Sequence, residues 1–131
     1  MPKSITTLMF LLSITITLAQ TTHDITVTNT SFIPAQKTIT VGDIVRWTNI
    51  LGHHNVRADD NSFTSGPAAM APWEYSHTFT SAGNNPYYCE PHGGPGGSGM
   101  SGVIIVENPV GVSGEELIVD KFELEQNYPN P

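Results

Sequence analysis

Cysteine occurs once in the 131 residues, at Cys89. A single cysteine closes no internal disulfide, so it is buried and inert, intermolecular, reactive, or a metal ligand. Basic residues are scarce as well. Five Lys and Arg stand against twelve Asp and Glu, a formal net charge of −7. Such a chain has few cations to offer phosphates, so no nucleic-acid partner is expected. The acidic surface either keeps the chain soluble or steers a basic partner protein. The longest apolar run, Ile5–Leu18, is Thr-rich and short for a membrane crossing, so no stable span is expected. No Ser/His/Asp order, carboxylate pair or phosphate-binding loop stands out, which leaves a hydrolase or transferase without support.

What is present favours strands. Hydrophobic residues make up 38% of the chain, with Val, Ile, Thr and aromatics prominent, a composition that suits a small all-β core. The length suits about one domain. Asp24–Asn29 alternates, with Ile25 and Val27 on one face. Phe32-Ile33 runs into Pro34, which ends or kinks a strand. Lys37–Val41 alternates with Ile39 and Val41 inward, Gly42-Asp43 signals a turn, and Ile44–Thr48 follows with Trp47 expected in the core. Ala58–Pro72 forbids long regular elements. Tyr75–Thr80 puts Tyr75, His77 and Phe79 on one face. Ser81–Pro86 reads as a turn, Tyr87–Cys89 as a short strand, and Gly102–Glu107 as the last. About seven short strands without helical periodicity read as an all-β, antiparallel Greek-key β-sandwich.

The chemistry concentrates in one stretch. Tyr87-Tyr88-Cys89-Glu90-Pro91-His92 leads through a Gly/Pro-rich loop to Met100, which opens the apolar run Val103–Val106. Thiolate, imidazole and thioether are soft donors of the kind that select copper, and a second histidine would complete a trigonal site with a long axial Met. His53-His54 follows the apolar strand Ile44–Thr48. Parity chooses between them: if Val56 faces the core, period two turns His54 inward and His53 outward.

Trp47, His54-Asn55-Val56, Tyr87 to His92, Met100-Ser101-Gly102 before Val106, and Phe63-Thr64-Ser65-Gly66 occur in an order that resembles the plastocyanin-like members of the cupredoxin family, over roughly Asp24 to Glu107. The resemblance implies one type 1 copper ion held by His54, Cys89, His92 and Met100, and single-electron exchange with redox partner proteins by an expected monomer. It also implies that Asn55 bonds across to the cysteine loop and that the His92 edge faces solvent, here among Gly and Pro rather than large apolar side chains. The alternative is a non-redox copper-binding or trafficking module displayed on the cell surface. Copper enzymes of this fold carry additional His-x-His pairs, and the chain has none, so no enzyme is expected. One departure stands out. Such loops place about four residues between the loop His and the Met; here seven intervene, Gly93 to Gly99, five of them glycine. That leaves the axial ligation, and so the potential, open.

The ends carry further expectations. Residues 1–19, with Lys3, the apolar core and Thr17-Leu18-Ala19, read as a signal peptide of an exported bacterial protein, periplasmic, cell-surface or extracellular. Residues 20–108 form the cupredoxin domain and 109–120 a linker. In 121–131, Phe122-Glu123-Leu124 to Pro131 resembles the opening of a type IX secretion sorting domain, expected to continue past Pro131. Elsewhere, His23 is expected to be solvated near the mature terminus, His77 to be a packed core histidine, and Asp59-Asp60 and Glu115-Glu116 to be solvated charges. Met70, in an Ala/Pro loop, is a fallback axial donor.

Overall fold

The computed structural model describes residues 11–14 and 19–110. Most of the expected signal peptide, the linker from residue 111 and the sorting-like tail lie outside the described residues.

Among the described residues ten strand segments make up the fold: β1 (Thr22–Val27), β2 (Phe32–Ile33), β3 (Gln36–Thr40), β4 (Ile44–Asn49), β5 (His53–His54), β6 (Arg57–Ala58), β7 (Ala69–Met70), β8 (Trp73–Thr78), β9 (Gly83–Gly94) and β10 (Ser98–Glu107). One four-stranded sheet is ordered β2-β1-β4-β8, a second β3-β10-β9-β6, and β5 pairs with β7 apart from both. The all-β sandwich expected from alternation is present, with two corrections. β1–β4 and β3–β10 are parallel, because the chain passes to the other sheet between β1 and β4, and such a crossover is what parallel neighbours require. The stretch Ser81–Pro86 is not wholly a turn: Gly83–Pro86 already pairs with Val103–Val106.

Alternating burial explains the layers. Ile25 and Val27 on β1 and Val45 and Trp47 on β4 are fully buried between the sheets. Trp47 stacks between Phe63 and Tyr75, at centroid separations of 5.8 and 5.6 Å, and meets the edge of Tyr87 at 5.3 Å. Phe32 packs edge-on against Tyr87 at 4.8 Å. Aromatic burial of this kind dominates small cores. His77 stacks on Phe63 and abuts Phe79, as a packed histidine should. His23 is not freely solvated. Its Nε2 lies 2.8 Å from Asp43 Oδ2, and Asp43 also accepts from the amides of Thr21 and Thr40. Burial opposes the charge on Asp43, but these hydrogen bonds, His23 foremost, hold its carboxyl below the ordinary carboxylate range.

Candidate metal centre

Three side chains from two stretches about 35 residues apart meet at one end of the sandwich. β5 delivers His54 and β9 delivers Cys89 and His92. His54 Nδ1 lies 3.1 Å from His92 Nδ1, and Cys89 Sγ lies 3.6 and 3.5 Å from the same two nitrogens. Those edges leave a common point about 2 Å from each atom, the length of a metal–imidazole bond and slightly under a metal–thiolate one. Among the described residues this is the one group of His, Cys and acidic side chains gathered tightly enough to hold a metal.

Burial sets the electrostatics. His54 is 1% exposed and Cys89 is fully buried, whereas His92 is exposed. Desolvation, then the neighbouring His92, lowers the pKa of His54 and keeps its imidazole neutral, the form that coordinates. Desolvation likewise pushes the Cys89 thiol up, so a thiolate there calls for a cation beside it. The donor set therefore fits a soft cation.

The loop ahead of His54 is braced by a residue that alternation did not mark. Asn49, fully buried at the end of β4, accepts from the Leu51 amide and donates to the Gly52 carbonyl. The signal was legible as an Asx-turn ahead of Gly. Gly52, at φ +91°, has no room for a side chain against His54 Nε2 and Asn29. Asn55, expected to reach the cysteine loop, does so. Its Oδ1 accepts from Glu90 N at 2.8 Å, and its Nδ2 donates to Glu90 Oε2 and to the Gly66 carbonyl. Arg57 holds the other Glu90 oxygen at 3.0 Å. Parity turns His54 inward and His53 outward, and the two are buried and exposed accordingly, although Asn55 beside His54 is buried as well and strict alternation stops there.

The seven residues between His92 and Met100 are an extension of the β9–β10 hairpin. Gly94 pairs with Ser98 and Gly93 with Gly99, and the register then shifts between Gly99 and Ser101. At that shift Cys89–His92 on β9 loop out opposite the single unpaired residue Met100 on β10, and Met100 is 5% exposed. The hairpin thus absorbs the extra length while its two ends stay adjacent. Met70 is 65% exposed and pairs with His53 on the surface, beside the strand position of His54 but not buried with it. With Ile50 and Leu51, at 60% and 57% exposure, it places apolar side chains at the end of the sandwich where the local sequence around His92 offers only Gly and Pro.

A two-sheet sandwich with a buried His/Cys pair and an exposed His at one end defines a cupredoxin-like protein with a single copper site of type 1 character. The chain belongs to the plastocyanin/azurin family of copper-binding proteins, whose family model matches residues 19–107. It is 40% identical over 87 residues to a chloroplastic plastocyanin of Tetradesmus obliquus, covering 58% of this chain and 58% of that one. It is 39% identical over 87 residues to a plastocyanin of Scenedesmus fuscus, covering 86% of the latter. The chain therefore spans little more than half the length of the chloroplastic relative. Among solved structures, a methionine-to-glutamine mutant of amicyanin in the Cu(I) state matches with a TM-score of 0.54 at 28% identity, over 66% of this chain and 82% of that one. A purple cupredoxin from Nitrosopumilus maritimus matches with a TM-score of 0.55 at 25% identity, over 64% and 98%.

Proposed function

We propose that the protein is an exported type 1 copper protein that carries single electrons between redox partners, with His54, Cys89 and His92 as equatorial ligands and Met100 as the weak axial one. The observation that carries this reading is the convergence of one thiol and two imidazole nitrogens within 3.1–3.6 Å, with Met100 buried at the register shift opposite the Cys89–His92 loop. Copper held there would supply a one-electron Cu(I)/Cu(II) couple, tuned by its axial ligand.

The chain's own residues supply the rest. Asn55 and Arg57 fix Glu90, and so the turn that presents Cys89 and His92. The β-sandwich behind His54 and Cys89 excludes water and leaves the donors little room to move when charge changes. His92, exposed at the rim, is the edge a partner approaches, and Ile50, Leu51 and Met70 offer it apolar contact. A trafficking module would favour an exposed or Met-free site, so the burial of Met100 favours the electron carrier. Residues 1–19 as signal peptide, 109–120 as linker and 121–131 as the start of a sorting domain complete the proposal, which puts the protein outside the bacterial cytoplasm with its partners unnamed.

The test is to add Cu(II) to the purified protein and record visible and electron spin resonance spectra. The expected result is an intense blue band with a small parallel hyperfine splitting that Cys89→Ser abolishes. A pale spectrum, or a band that survives Cys89→Ser, overturns the assignment.

A further inference from the structure

The hairpin between His92 and Met100 is clasped at its tip by a side chain from elsewhere in the chain. Asp59 Oδ2 accepts from the Gly96 amide at 2.8 Å, across 37 residues. This is not the solvated charge the sequence suggests. Asp59 is half-buried, and its Oδ1 is buried without a partner. The Asp59 amide donates to the Pro86 carbonyl at 2.9 Å, so the carboxylate stands on backbone already anchored to β9. A hydrogen bond to a carboxylate is of the stronger kind, and this one holds the most pliable part of the site. Gly96 and Gly97 have φ of +81° and +78° with open space around them, so neither packing nor side chains of their own fix the tip.

The base of the hairpin is fixed differently. Gly99, at φ +64°, lies so close to the His92 carbonyl that a Cβ would not fit, and a Cβ on Gly93 would sit 2.6 Å from the carbonyl oxygens of Ser98 and Met100. Packing thus secures the base, beside Met100, and the Asp59 clasp secures the tip. The pairs Gly94–Ser98 and Gly93–Gly99 constrain the arms, which leaves the glycine freedom at Gly96 and Gly97, and there the clasp removes it.

We propose that Asp59 is a positioning residue for the copper site: by clasping the hairpin tip it fixes the path from His92 to Met100 and hence the approach of the Met100 thioether to the metal. This rests on Met100 as the axial ligand. It assigns to an acidic residue outside the ligand loop a part in tuning the reduction potential.

The experiment compares Asp59→Ala, Asp59→Asn and Met100→Leu in the full copper-loaded chain. Amide exchange is followed by NMR in the reduced state, with potentiometry and Cu(II) electron spin resonance alongside. Asp59→Ala is expected to speed exchange at Gly96 about tenfold or more while leaving Ile25 in β1 unchanged. It should also move the potential in the same sense as Met100→Leu, but by less. Asp59→Asn, whose amide oxygen still accepts, should fall between Asp59→Ala and the parent. Unchanged Gly96 exchange in Asp59→Ala overturns the clasp. An unchanged potential in Asp59→Ala, where Met100→Leu does shift it, overturns its influence on copper. A potential that Met100→Leu fails to move sinks the axial assignment itself, and the proposed tuning with it.

Discussion

The Glu90 amide donates to Asn55 Oδ1 at 2.8 Å, and each of these residues directly follows a metal donor, Cys89 and His54. One side chain therefore locks the two halves of the site together across 35 residues.

Asn55→Ala should unlock them. It removes three hydrogen bonds from a fully buried position and leaves the Glu90 amide unpaired, a loss of about 2–4 kcal/mol by the cost of unsatisfied buried groups. Urea unfolding of the copper-loaded protein would measure it, and weaker copper retention against a chelator should accompany it. Asn55→Ala with unaltered stability and copper retention would show that the lock is idle.

Glycines of the ligand hairpin should divide into two classes. Gly99→Ala combines a positive φ with a clash against the His92 backbone and should cost about 2–4 kcal/mol. Gly97→Ala has the same sign of φ but open space around it, so only the backbone penalty of about 1 kcal/mol remains. Thermal melts of both variants would check the ranking, and equal losses would contradict the close approach at Gly99.

Trp47 offers a core test. Its side chain is fully buried among Phe63, Tyr75 and Tyr87, so Trp47→Ala should cost about 3–5 kcal/mol. Its indole N–H faces the Tyr87 hydroxyl without reaching good hydrogen-bond geometry, so Trp47→Phe loses volume but little bonding and should cost markedly less. Denaturant midpoints for the two variants decide it; similar losses would mean that the N–H matters.

Acid sensitivity should have a component from His77. Burial holds its pKa below the ordinary imidazole value, so the folded protein takes up this proton less readily than the unfolded chain. The stability it allows is complete at neutral pH and declines as the pH falls below about 6.5, the unfolded value. Asp43 acts lower. Held below its ordinary value, it contributes fully above about 4 and loses that contribution as the pH falls through its folded value. His77→Phe keeps an aromatic ring between Phe63 and Phe79 and should flatten the stability profile between about pH 6.5 and 5 relative to the parent, other groups cancelling in the comparison. Parallel profiles would show that His77 titrates normally.

The sequence by itself determined the donor types, their order and the strand faces. One cysteine with a histidine three residues on, a methionine before an apolar run and an alternating strand ahead of His54 are local facts, and period-two alternation is a local consequence of strand geometry. Tertiary structure decided what alternation cannot encode: that Asn49 and Asn55 are buried despite their polarity, because each meets backbone groups that the fold brings to it; that His23 closes on Asp43; and that seven residues between His92 and Met100 fold into a hairpin whose ends stay together. A periodicity reports which side of one segment is apolar. Which segments then face each other, and which polar group finds its partner there, is settled only when long-range pairing and the close packing of the two sheets fix the distances.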